Sequence, residues 1–166
     1  MVRRLEIGGG PSPAHPDWEQ LDINDWSERG NPTTHQCDMR LTGLPADCFE
    51  EIYACNVLEH VLKTHETLTE WARILTPGGK LTVIVPDVRG ILADYESGKN
   101  TWAECSERLC GSQSYHADVH RAAFTLSEMR PIIEAAGLEV IDIRSSHEGG
   151  GVLAEARKPN GSKEAT

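Results

Sequence analysis

The sequence predicts an α/β domain built on a mostly parallel sheet, and three observations carry that prediction. Short apolar runs alternate with helical patterns along nearly the whole chain, which is how strands separated by crossover segments read. The run Leu81-Thr82-Val83-Ile84-Val85 is rich in β-branched residues and almost unbroken, as suits a strand covered on both faces. The first run, residues 3–7, passes directly into Gly8-Gly9-Gly10, a strand opening onto a turn where no Cβ intrudes.

The remaining elements follow in order. Residues 18–23 form a second strand carrying Asp22 near its end, and residues 33–37 a third, followed by Asp38. A fourth covers residues 50–55, and the fifth, residues 80–85, stops at Pro86. Between the last two lies a helix that Thr64 can cap, with Leu68, Trp71, Ala72 and Leu75 on one face and Pro77-Gly78-Gly79 as its terminator. Ile91, Leu92 and Tyr95 indicate a further helix. Thr101 with Glu104 forms a capping box that opens another, running to about Cys110. Thr125 with Glu128 is a second capping box, ahead of Met129, Ile132, Ile133 and Ala136, and Gly137 ends that helix; Pro131 predicts a kink or late start. Residues 138–143 and 151–156 are two strands with no helix between them, so they pair antiparallel. The total is seven strands with an antiparallel hairpin at the end.

The chain of 166 residues suits one domain, placed at residues 1–157, with residues 158–166 as a flexible polar tail. No apolar run is long enough to span a membrane and no signal segment is evident, so a cytoplasmic protein without membrane attachment is expected. Five cysteines without a Cys-x-x-Cys argue against a disulfide framework and the common zinc spacings. The formal net charge of −10 disfavours nucleic acid as a partner, because binders of polyanions present basic faces.

In a doubly wound sheet, ligands bind beyond the carboxyl ends of the strands where strand order reverses. Gly8-Gly9-Gly10, Asp22 and Asp38 stand at three successive strand ends, where an acidic group can accept hydrogen bonds from ribose hydroxyls and another from an adenine amino group. Only eleven residues separate Gly10 from Asp22, too few for a full crossover helix, so the first helix is expected to be reduced. Pro11 and Pro13 occupy the stretch where a dinucleotide site would open its pyrophosphate-binding helix, which disfavours a nicotinamide cofactor.

These residues carry a family resemblance. Leu5-Glu6-Ile7-Gly8-Gly9-Gly10-Pro11 resembles the first motif of class I S-adenosylmethionine-dependent methyltransferases. Trp18-Glu19-Gln20-Leu21-Asp22-Ile23 resembles the second and Cys37-Asp38-Met39 the third. Asn56-Val57-Leu58-Glu59-His60 and Trp71-Ala72-Arg73-Ile74-Leu75-Thr76-Pro77-Gly78-Gly79 resemble the segments after the fourth strand in a compact bacterial branch with a Leu-Glu-His motif. Val85-Pro86-Asp87, Cys110-Gly111-Ser112-Gln113 and residues 120–124 extend the likeness over most of the chain.

The resemblance implies a Rossmann-like fold, S-adenosylmethionine as cofactor, and methyl transfer to an oxygen or nitrogen of a small or medium polar acceptor, with sugar pathways as the suggested setting. It implies that Glu6, Ile7, Gly8, Gly9 and Gly10 line the methionine end. Asp22 and Ile23 would then hold the ribose, Asp38 and Met39 border the adenine, and Asn56, Val57 and Leu58 lie under the sulfonium. The alternative is a non-catalytic subunit that keeps the cofactor pocket within a larger complex. Candidate bases are His120 first, then Asp87 and His60, with His116 also near the strand ends. For His60, packing beside the cofactor competes with that role, and for Asp87 a loop cap does. His116 and His120 at i,i+4 lack an evident third ligand, so no metal is expected. The acceptor, the atom methylated and the oligomeric state stay open.

Overall fold

The computed structural model describes residues 2–115, 117–146 and 150–161. Seven strands form one sheet: β1 (Arg4–Ile7), β2 (Glu19–Asp22), β3 (His35–Gln36), β4 (Phe49–Cys55), β5 (Leu75–Pro86), β6 (Glu139–Ser146) and β7 (Gly151–Arg157). Their spatial order is β3-β2-β1-β4-β5-β7-β6. β1 to β5 run parallel, and β7 pairs antiparallel with both β5 and β6, as the hairpin reading predicts. Strand order reverses between β1 and β4, which fixes the ligand crevice at the ends of those two strands. Four helices accompany the sheet: α1 (Thr64–Ile74), α2 (Val88–Glu96), α3 (Trp102–Cys110) and α4 (Leu126–Ala135).

The core lies on one face of the sheet. Leu5, Ile7, Ile52, Ala54, Leu81, Val83 and Val85 alternate inward along β1, β4 and β5 and are at most 1% exposed. They share one apolar cluster with Leu68, Trp71 and Ile74 of α1 and with Met129 and Ile133 of α4. The short first connection has a specific consequence on the opposite face. No helix lies between β1 and β2, as expected. Glu6 and Gln20, paired in register, point into the space a crossover helix would fill, and both are buried. The Glu6 carboxylate accepts the Ala14 and His15 backbone N–H groups at 2.9 and 2.7 Å, and Gln20 Nε2 donates to the His15 and Trp18 carbonyls. His15 stacks on Trp18 and meets Tyr53 edge-on. A side-chain-braced loop thus takes the place of the helix, satisfying the backbone polar groups that it brings against the sheet.

Three local expectations are corrected. Pro77-Gly78-Gly79 does not end α1 but lies inside β5; the helix stops at Ile74 because Leu75 turns extended, is fully buried and pairs with Phe49. Pro77 reinforces this by biasing Thr76 away from helical geometry. Thr64 is the first residue of α1 rather than its cap, since Lys63 holds the cap position without a side-chain bond. Thr125 precedes α4 without capping it, its hydroxyl lying 3.1 Å from Ser127 Oγ instead. The Thr101–Glu104 capping box forms in both directions. Lys158, read as the first tail residue, is held by Asp47 and by the Arg73 and Leu75 carbonyls. Among the described residues no helix is long and apolar enough to cross a membrane.

Candidate functional site

Two adjoining cavities open at the carboxyl ends of the parallel strands. The larger, about 820 Å3, is of the size that binds small ligands and cofactors. Its floor comes from the strand ends: Ile7, Gly8 and Gly10 after β1, Asp22 and Ile23 at β2, Asp38 and Met39 after β3, and Asn56 and Val57 after β4. Nine of the twelve residues the resemblance assigns to the cofactor therefore share one wall. Glu6, Gly9 and Leu58 do not line it. Glu6 braces the loop beneath, as described. A Cβ on Gly9 would strike Gln20 Oε1 and Pro13 at 2.7 and 2.9 Å, so this glycine serves close packing on that same underside. Leu58 is fully buried in the core.

Glycine is required at Gly8 for two reasons. Its φ is +70°, and a Cβ there would meet Val57 Cγ2 at 2.3 Å. Gly10, at φ +60°, has open space where its Cβ would project, and its carbonyl accepts Asn31 Nδ2 at 2.7 Å. Asn56, also left-handed at φ +50°, ends β4 and is tied to the Ile84 carbonyl through its own N–H. The Asp22 carboxylate accepts the Asn24 N–H at 2.9 Å. Asp38 is engaged differently: Arg40 grips both its oxygens at 2.6–3.1 Å, and this partner holds its carboxyl below the usual range.

Other lining residues were not singled out by sequence. Trp26 and Arg29 come from the segment around a short 3-10 turn after β2, and Tyr115 and Arg121 from the segment before α4. The Trp26 indole nitrogen is buried with no hydrogen-bond partner, although it is a donor that usually finds one.

The second cavity, about 470 Å3, shares Asn56 and His60 with the first. It lies over Tyr53 and Cys55 of β4 and Ile84 of β5, with α3 supplying Glu107 and Arg108. Glu59, Asp118 and His120 face it too. The Arg121 and Ala122 N–H groups donate to the Glu59 carbonyl at 2.7 and 3.0 Å, and this docking brings the His120 ring to 5.0 Å from that of His60. Glu59 is 1% exposed and both carboxylate oxygens lack hydrogen-bond partners; His120 Nε2, at 3.9 Å, is too far to serve. Burial pushes its carboxyl up to about 8. Burial, and then repulsion from His60, push His120 below the ordinary imidazole value.

His60 and His120 therefore meet, as two of the three ranked bases. Asp87 does not join them: it caps α2, accepting the Arg89 N–H at 3.1 Å, and lines neither cavity. His116 lies outside the described residues. Glu59 is the residue that sequence reasoning missed, although a lone acid in Val57-Leu58-Glu59-His60-Val61 was a visible signal.

Comparison with known proteins bears on this arrangement. Residues 16–83 match the family model described as Methyltransferase domain. No curated protein matches the chain significantly. Among solved structures, a complex between the Trm112 methyltransferase activator and a methyltransferase from Haloferax volcanii aligns at TM-score 0.69 with 17% identity, covering 96% of this chain and 83% of that one. A SAM-dependent methyltransferase from Thermotoga maritima aligns at 0.68 with 19% identity over 95% and 83% of the two chains. An S-adenosylmethionine-dependent methyltransferase from Mesorhizobium loti aligns at 0.67 with 13% identity over 95% and 91%. These structures, each under 20% identical, establish the fold as that of class I S-adenosylmethionine-dependent methyltransferases, and residues 16–83 are similar to the Methyltransferase domain family.

Proposed function

We propose that the larger cavity holds S-adenosylmethionine and that the smaller one receives a small or medium polar acceptor, methylated at oxygen or nitrogen. The observation that carries this reading is the junction of the two cavities at Asn56 and His60, which places a polar chamber beside a crevice at the strand-order reversal.

The bound cofactor supplies a methyl group already activated on a sulfonium. This chain's residues would then bind, orient and exclude water. Gly8 and Gly10 border the methionine end, where the backbone is bare of Cβ atoms. Asp22 would accept hydrogen bonds from the ribose hydroxyls, and Val57 and the Asn56 backbone would hold the sulfonium end. Cys37, Met39 and Leu62 would border the adenine; because Asp38 is committed to Arg40, it would do so as part of an ion pair rather than as a free acceptor. A hydroxyl acceptor releases a proton, which the Glu59–His60–His120 cluster is placed to draw away. The acidic surface favours a small molecule over nucleic acid, and a sugar-related hydroxyl fits the polar chamber.

Calorimetric titration with S-adenosylmethionine and S-adenosylhomocysteine tests the cofactor site, and lack of binding by either would remove the basis for it. An acceptor screen that reads S-adenosylhomocysteine release tests the chemistry. Tight cofactor binding with no release across hydroxyl, amine and carboxylate acceptors would instead support a non-catalytic subunit.

A further inference from the structure

We infer that Glu59, His60 and His120 form a binding site for a divalent transition-metal cation of zinc-like preference at the junction of the two cavities. Each of the three side chains offers a ligand atom, and these atoms lie within 4.8 Å of one another. Two imidazoles and one carboxylate form a donor set suited to zinc, cobalt or nickel, and three protein ligands leave a further position open toward the cavity.

Two independent features support the site. The Glu59 carboxylate is buried and both its oxygens lack hydrogen-bond partners, an arrangement that costs free energy unless something of opposite charge or a donor completes it. The imidazoles are also held in place. His60 Nδ1 lies 3.3 Å from the Val119 carbonyl, which turns its Nε2 edge outward. The His120 backbone N–H donates to the Cys110 carbonyl at 3.0 Å, anchoring the segment, while its ring Nε2 lies 3.9 Å from Glu59 Oε1. An outer contact like that of His60 fixes the tautomer and direction of a metal-binding histidine. The backbone bonds from Arg121 and Ala122 to Glu59 hold the two segments together, so no large rearrangement is needed to assemble the ligands.

An ammonium group of an amine acceptor is the rival occupant of this hole. The two imidazole nitrogens converging with the carboxylate favour the metal, because neutral imidazole is a strong ligand for such ions. The role of the cation toward an acceptor rests on the reading of the smaller cavity proposed above. Its binding does not, and the two are measured separately.

The test uses tag-free, chelator-treated full-length protein titrated with Co2+ and Zn2+. Cobalt is expected to bind stoichiometrically with a visible ligand-field spectrum, and zinc to displace it. Glu59→Gln and His120→Asn are each expected to weaken cobalt binding by at least about 100-fold, beyond the loss typical of outer-shell changes. Circular dichroism and S-adenosylmethionine titration monitor folding, and if one variant fails to fold, the other decides. Absence of a spectrum in the wild type would overturn the inference. So would unchanged affinity in a folded variant, which would assign the cation to surface histidines. If cobalt binding is absent but cofactor binding normal, the metal site falls and the cofactor reading stands.

Discussion

Replacing Glu59 by Gln should stabilise the metal-free protein, by an amount that depends on pH. The Glu59 carboxyl is almost wholly buried, has no hydrogen-bond partner and is raised by burial to about 8 from an ordinary value of 4.5. The folded state therefore holds a proton between these two values that the unfolded chain has lost. By linkage, stability is greatest below pH 4.5 as far as this group is concerned and falls as pH rises toward 8. At about 1.4 kcal/mol per unit, the loss reaches about 3 kcal/mol at pH 7 and levels off near 5 kcal/mol above pH 9. Glutamine resembles the protonated acid in shape and carries no charge, so it escapes the penalty. Urea denaturation of both proteins in chelator, from pH 5 to pH 9, should give nearly equal stabilities at the acid end and a growing advantage for Glu59→Gln toward the alkaline end. A difference that stays constant across that range would refute the reasoning, because it would show that Glu59 ionises no differently in the folded and unfolded states.

Other substitutions probe the rest of the site. Asp22→Ala is expected to weaken S-adenosylmethionine binding by about 1.5–3 kcal/mol, roughly 10- to 150-fold, through loss of charged acceptor bonds; calorimetry reads it directly. Gly8→Ala combines a strained φ of +70° with a Cβ 2.3 Å from Val57 Cγ2, and is expected to cost about 2–4 kcal/mol in denaturant melts. Glu6→Gln should cost about 2 kcal/mol of stability, since one of the two N–H groups of Ala14 and His15 would face an amide nitrogen. Its effect on cofactor affinity should be smaller than that of Asp22→Ala, and the reverse order would place Glu6 on the cavity wall after all.

The sheet and the larger cavity were legible because both depend on local patterns. Each strand is a short apolar run ending in a polar or glycine residue, and in a parallel sheet those ends collect at one edge. Asp22, Asp38 and Asn56 were therefore located by knowing only where strands stop. Helix caps were less legible: of Thr64, Thr101 and Thr125 only Thr101 makes the capping bond, since Thr64 lies inside the first turn of its helix and Thr125, although at the cap position, turns its hydroxyl to Ser127. Glu6 lies apart from the cavity for a related reason. Motif order put it in the glycine loop, but strand alternation turns it to the face away from the crevice. The Glu59–His120 meeting was beyond local reading, since it depends on residues 121 and 122 docking on the Glu59 carbonyl about sixty positions away in the chain.

The missing first helix sharpens what the glycine loop is for. In sites that bind a pyrophosphate, the helix behind the loop contributes its amino-terminal N–H groups to an anion. Here the corresponding N–H groups of Ala14 and His15 are turned beneath the sheet and consumed by Glu6. A phosphate would find no such donor array from this segment. A cationic sulfonium would need none, and in the proposed reading the backbone bare of Cβ at Gly8 and Gly10 would let the methionine end approach closely. The same short connection leaves Trp26 and Arg29, from the next loop, to close the rim that a helix would otherwise approach. Loss of the helix thus removes the donor array a dinucleotide would use, while Asp22 still lines the cavity at the position where the proposed cofactor's ribose would sit.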